Sequence, residues 1–181
     1  DRLTKVEIKR LNSALKLIGW SQDFDLIIES DSGENRKIPR LTDFTKSSGR
    51  RKKNFETLAD VGFGFSQLFP IVENAISDTP QSFLVEAPEV HLHPSLQGDL
   101  IDLIARNSLA CTEIPFAKES SDSPLGNKHK WFIETHSEYM LRRVQKLIAK
   151  GLIDSKQVAV YFCDIDEQGE RLIREIKLGS K

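Results

Sequence analysis

Apolar residues recur along this chain with two distinct periods, and those periods divide it into elements. Ile8, Leu11, Leu15 and Ile18 fall at helical spacing, with Lys5, Lys9, Arg10 and Lys16 elsewhere on the wheel. Residues 3–18 are therefore expected to form an amphipathic helix that Gly19 ends. Phe24–Glu29 reads as a strand and Arg36–Leu41 as a weaker one, and the turn-forming residues Ser30 to Asn35 between them predict a hairpin. Pro39 lacks an N–H, which predicts an edge position for the second strand. Leu68, Ile71, Val72 and Ala75 return to helical spacing, so a helix is expected to begin near Ser66, with Pro70 in its first turn.

Other apolar stretches run without alternation. Phe83 to Val85 lead straight into Glu86, the pattern of a strand buried on both faces in a parallel α/β sheet. Ligands of open α/β sheets bind at the carboxyl ends of strands, and Glu86 stands at that end. Pro88 stops the strand, and Pro94 suits the first turn of a helix over 94–107 with Leu96, Leu100, Leu103 and Ile104 on one face. Trp131 to Ile133 form a second such run, ending in Glu134, Thr135, His136 and Ser137. Ser137 or Thr135 can cap the next helix, which carries Met140, Leu141, Val144, Leu147 and Ile148 inward and stops at Gly151. Gln157–Cys163 reads as a further buried strand, and Arg171–Leu178 as an alternating strand returning across a Gln168-Gly169 turn. Residues 108–130 lose the pattern and include Pro115, Pro124 and Gly126, which predicts a mobile insertion with nothing catalytic in it.

Several polar constellations carry chemistry. In Gly62-Phe63-Gly64-Phe65-Ser66-Gln67 two glycines allow close backbone approach to a ligand, and a helix start there is an anion site through its free N–H groups. An ordinary turn is the plainer alternative. The segment is no Rossmann fingerprint, since no third glycine follows, and no Gly-Lys-Ser/Thr of a P-loop occurs anywhere in the chain. An imidazole N–H can donate to a phosphate oxygen, which suits His136 to sensing phosphate; alternatively it merely ends a strand. Glu89, His91 and His93 could hold zinc on a regular strand, which Pro88 and Pro94 disfavour. Asp164 and Asp166 could be the metal pair of a Toprim nuclease, but a hairpin at Gln168-Gly169 accounts for them more simply.

The order of three motifs, glycine-rich helix start, acid-tipped strand, histidine-tipped strand, resembles the C-terminal half of an ABC-type ATPase head. The form Glu86-Ala87-Pro88-Glu89-Val90-His91-Leu92-His93-Pro94 is similar to the AAA-type ATPases related to overcoming-lysogenization-defect proteins, many of them tied to prokaryotic antiviral defence. The resemblance covers about residues 58–163 and implies a P-loop NTPase-like α/β fold with a largely parallel sheet flanked by helices, plus the small N-terminal antiparallel hairpin. It implies that two heads, as a homodimer or higher homo-oligomer, sandwich ATP and Mg2+, acting as a nucleotide-dependent switch or clamp with an effector partner. Glu86 takes the place of the metal-holding acid, Ala87 that of the catalytic glutamate, and His93 that of the D-loop acid. His136 matches the switch histidine, and Gly62, Gly64 and Ser66, with Gln67 close behind, match the signature that contacts the partner's γ-phosphate. With the Walker A half absent and alanine at position 87, residues 1–181 alone are expected to be inactive, the ATPase belonging to the intact protein. A scaffold that binds an effector nuclease or nucleic acid is the alternative.

Composition narrows this little. With 181 residues, 39% hydrophobic and 29% charged, the chain suits one globular domain or a large part of one. A net charge of -1 neither favours nor excludes nucleic acid. Locally, Lys46, Arg50, Arg51, Lys52 and Lys53 surround Ser47-Ser48-Gly49, which reads as a mobile basic loop or as a phosphate contact for DNA or RNA. Cys111 and Cys163 have no metal spacing, and no apolar run reaches the ~18 residues of a membrane helix, so a cytoplasmic location without membrane contact is expected. Met140 is the sole methionine, so a fragment of something longer is expected.

Overall fold

The computed structural model describes residues 5–19, 23–31, 34–47, 50–57, 63–77, 79–109 and 129–178, with side chains over 7–19, 63–77, 79–109 and 129–178. Helix α1 (Lys5–Leu17) buries Leu11 and Leu15 completely, and Ile18 just past its end is buried with them, as the spacing predicts. Gly19 ends it with φ +78 while its N–H donates to the Lys16 carbonyl, a left-handed stop suited to glycine.

Strands β1 (Asp23–Asp31), β2 (Glu34–Ser47) and β3 (Arg50–Thr57) form an antiparallel sheet in that order. The predicted hairpin is there, with Glu29 opposite Arg36. Pro39, however, lies on the central strand rather than an edge. The ladder to β3 begins only at Arg40, so Pro39 pairs on one side, with Leu26, and needs no N–H on the other. Of the basic stretch read as a loop, Lys46, Ser47 and residues 50–54 lie instead on paired strands, Lys46 opposite Arg51 and Thr45 opposite Lys52, while Ser48 and Gly49 lie outside the described residues. Its backbone is held by β2, which a residue pattern without apolar positions does not reveal.

Helix α2 (Phe63–Ala75) starts three residues before Ser66, so Pro70 sits inside the helix and not in its first turn. Pro70 cannot donate to the Ser66 carbonyl, and burial of Phe65, Leu68, Val72 and Ala75 offsets the missing bond. Strand β4 (Ser82–Glu86), helix α3 (Pro94–Ser108) and strand β5 (Lys130–Glu134) then make one parallel unit, with Glu86 opposite Glu134. Helix α4 (Glu138–Ala149) follows; Gly151 donates to Ile148 and Leu152 to Leu147, a Schellman ending. A 3₁₀ turn (Ser155–Gln157) leads to β6 (Val160–Ile165) and β7 (Arg171–Ile176).

Two expectations for the sheet are corrected. Only β4 and β5 pair in parallel; among the described residues the strands form three separate sheets, and β6 pairs antiparallel with β7 across the turn at Asp166–Glu170. A hairpin closes through local contacts, whereas parallel pairing needs a crossover, which α3 supplies for β4 and β5. Nor are these strands buried on both faces. Phe83, Val85, Trp131 and Ile133 are half-buried, while Leu84 is 84% and Phe132 60% exposed on the other face. The expected buried strand at 157–163 is likewise exposed from Tyr161 on.

The core is helical: Leu68 and Val72 of α2, Leu100 and Leu103 of α3, and Met140 and Leu147 of α4 join the buried face of α1. Across α3 and α4, Arg143 makes a two-pronged ion pair with Asp102, which is 2% exposed. The predicted insertion is framed by Leu109 and His129; residues 110–128 lie outside the described residues, while Ser108 belongs to α3 and Lys130 to β5.

Candidate functional site

The carboxyl ends of β4 and β5 lie side by side, and both predicted strand tips are on that rim. Parallel strands are about 4.8 Å apart, so register partners Glu86 and Glu134 present two exposed carboxylates on one face. The ladder runs one bond further, from the Ala87 N–H to the Glu134 carbonyl at 2.9 Å. Ala87 then turns left-handed, with φ 45, a conformation unfavourable for a residue with a Cβ. His136 follows Glu134 by two residues and is exposed.

The turn after β4 is bonded to the loop after β5. Glu89 accepts from the His136 backbone N–H and from Thr135 Oγ1, both at 2.7 Å. Thr135 Oγ1 accepts from the Ser137 N–H at 3.0 Å. Ser137 Oγ caps α4 by accepting from the Met140 N–H at 3.2 Å, and donates to Gln97 Oε1 at 2.5 Å. Gln97 closes the circuit, its Nε2 donating to the carbonyls of Leu92 at 3.0 Å and Glu89 at 3.4 Å. Burial pushes the Glu89 carboxyl up, but the bonds from His136 and Thr135 outweigh it and hold it below the ordinary value. A carboxylate so held is a poor proton acceptor, which weakens Glu89 as a substitute for the base missing at Ala87.

His93 is spent locally in part: its Nδ1 accepts from the Ser95 N–H at 3.3 Å, capping α3 ahead of Pro94. His91 has φ 62 and stacks edge-on against Phe63, ring centroids 4.9 Å apart. Glu89, His91 and His93 thus face separate partners, and among the described residues no cluster of three or more His, Cys, Asp or Glu could hold a metal. Asp166 serves its hairpin, accepting from the N–H groups of Gln168 and Glu170.

Of the glycine-rich segment, Gly62 lies outside the described residues. Gly64 stands in the first turn of α2, packed under the His91 carbonyl. Ser66 and Gln67 are exposed on the same helix. Gln67 shares a cleft of about 360 Å³ with Asn74, Glu86, Ala87 and Pro88. Of the glycine-rich segment only Gln67 lines that cleft with the acid and the alanine, while Gly64 meets the turn that follows them. A cavity of about 420 Å³ between α3, β5 and residues 153–159 holds none of these side chains.

The sequence pattern did not reveal the linkage of Glu89 and Gln97 to the 135–137 loop. By sequence Glu89 is a candidate zinc ligand only, and Gln97 carries no signal of its own. Bonds that span 40 residues or more leave no periodic signal.

No protein-family model matches the chain, and no curated protein matches it. Solved structures do. A structure of the SmcHead bound to the C-winged helix domain of ScpA aligns over 95% of this chain and 42% of its own, with TM-score 0.57 and 12% identity. A structure of SMC ATPases described by ATP-driven dimerisation and DNA stimulated activation aligns over 95% and 84%, with TM-score 0.56 and 12% identity. The Smc head domain with an extended coiled coil, bound to the C-terminal domain of ScpA and derived from Pyrococcus furiosus, gives 95% and 35%, with TM-score 0.54 and 12% identity. At this identity the likeness is one of fold: an α/β chain similar to ABC-type, P-loop ATPase heads. Within that class the similarity is to SMC heads, and the chain spans about two fifths of the first of them. None of these three is an overcoming-lysogenization-defect protein, and the resemblance to that group stays with the motif residues alone.

Proposed function

We propose that this chain is the C-terminal half of an ABC-type ATPase head that dimerises around ATP and works as a slow nucleotide-dependent clamp. The observation that carries this reading is the shared rim, where Glu86 and the His136 loop end two adjacent parallel strands, joined through the 88–93 turn to the first turn of α2. Glu86, with Glu134 alongside, offers the hard oxygen donors that suit Mg2+, which takes its remaining ligands from phosphate and water. Bound magnesium would neutralise charge developing on the phosphates. His136 would donate to the γ-phosphate, and Gly62, Gly64, Ser66 and Gln67 would approach the partner's nucleotide, with His93 at the dimer seam. Ala87 supplies no proton acceptor, which is why the clamp is slow. A role in antiviral defence beside an effector belongs to the same proposal and rests on the Glu86–Pro94 motif.

The test is size and turnover of the intact protein with Mg2+ and ATP. ATP is expected to double the mass, His136→Ala to abolish that shift, and Ala87→Glu to raise turnover by about 10²–10⁴. An unchanged mass with ATP defeats the proposal; doubling without any gain from Ala87→Glu leaves a scaffold.

A second reading, nucleic-acid binding through Lys46–Lys53, is favoured by one observation. Lys46 and Arg51 are register partners in the β2–β3 ladder, which sets two basic positions of the stretch opposite one another. An affinity for duplex DNA that does not fall with salt would defeat it.

A further inference from the structure

The bond between Glu89 and the His136 N–H joins two segments 47 residues apart, and it is one side of a closed circuit. The circuit passes from Glu89 through Thr135 and Ser137 to Gln97, and returns to the Leu92 and Glu89 carbonyls. It fixes the 135–137 loop at three consecutive residues. The exposed His136 imidazole therefore projects from a backbone that has little freedom of its own. On its other side the same turn meets α2, through the His91 ring on Phe63 and the His91 carbonyl above Gly64. The segment 88–93 thus touches the histidine loop and the glycine-rich helix start at once.

We propose that Glu89 is a positioning residue, a two-oxygen latch that fixes the His136 loop to the 88–93 turn and ties it to the start of α2. Two features set it apart from ordinary surface packing. Both carboxylate oxygens are used, one by a backbone N–H and one by a hydroxyl, so a single side chain fixes two successive residues. The acceptor is also charged, and charge-assisted bonds are about twice as strong as neutral ones. Loss of the latch frees the histidine loop without touching Glu86 or the packing of β4 on β5. The part of the inference that concerns nucleotide rests on the reading given under Proposed function.

The experiment compares Glu89→Ala and Glu89→Gln with the unaltered intact protein by amide hydrogen exchange and by titration with Mg2+ and ATP. Glu89→Ala is expected to speed exchange at His136 by about 10- to 100-fold, the value of one bond to a charged group. It should also speed exchange at residues 63–66 and weaken nucleotide binding to the level of His136→Ala. Glu89→Gln keeps one acceptor for the His136 N–H and should fall between. Unchanged exchange at 135–137 overturns the latch, whatever the nucleotide result. Faster exchange with unchanged ATP affinity overturns the positioning role. If the unaltered protein binds no ATP, the ATPase reading and the positioning role fall together, while faster exchange in Glu89→Ala upholds the latch itself.

Discussion

Gly64 lies directly beneath the carbonyl of His91: a Cβ on Gly64 would stand 2.6 Å from that oxygen and 3.4 Å from its carbon. The glycine that resembles a nucleotide-contacting residue therefore has a packing reason to be glycine. Gly64→Ala must push the 88–93 turn away from α2, and an overpacked site typically costs about 1–3 kcal/mol. Melting without nucleotide should show a fall of several degrees. Gly98 in α3 is the contrast, since the nearest atoms to its added Cβ are the aliphatic carbons of Arg143 at 3.9 Å. Gly98→Ala should stabilise by about 0.5–1 kcal/mol through helix propensity.

Ala87 holds φ 45 without the freedom of glycine. Left-handed backbone costs a residue with a Cβ about 1–2 kcal/mol. Ala87→Gly should therefore raise the denaturation midpoint, while Ala87→Val should lower it. Equal midpoints for the three would mean that the turn relaxes.

Asp102 and Arg143 are a pair across α3 and α4 in which the acid is almost fully buried. Its hydrogen bond raises the Arg143 guanidinium's proton affinity further. Arg143→Met alone strands a buried carboxylate and should cost about 3–5 kcal/mol, whereas Asp102→Leu combined with Arg143→Met should cost much less. A double-mutant cycle by chemical denaturation measures the difference.

Two carboxyl groups give opposite responses to acid. Glu89 is held below its ordinary value of 4.5, so its contribution is present above that pH and fades as pH falls through the lower folded value. Glu89→Gln should flatten the stability profile in that acidic window. Asp99 is pushed above 3.8 by burial and by the nearby Asp102, so its ionised form destabilises the fold near neutrality. Asp99→Asn should stabilise at pH 7, and the gain should vanish as pH falls toward 3.8. Denaturation midpoints between pH 3 and 7, a range of about four units around these ordinary values, separate the two.

What the sequence determined by itself is local. The spacing of Leu11, Leu15 and Ile18 marks the buried side of α1 and of the turn that ends it, and the ends at Gly19, Pro94, Ser137 and Gly151 sit where their backbone chemistry requires. Such signals depend on residues within a turn or two of one another. The same locality explains the misses. Strand β3 has a basic, polar sequence and exists through its ladder to β2, and Pro70 lies inside α2 because burial of its neighbours outweighs one absent bond. An apolar run also cannot say how many of its faces are covered, so Leu84 and Phe132 looked buried and are exposed.

Only the tertiary structure decided which tips meet. That Glu86 neighbours Glu134 and that Glu89 holds His136 follow from how β4, α3 and β5 pack as a unit, and that Gly64 fits under His91 follows from how α2 packs on the 88–93 turn of that unit. Hydrogen bonds and close contacts of that kind are set by distances between distant segments, and those distances exist only once the helices have closed on their shared core.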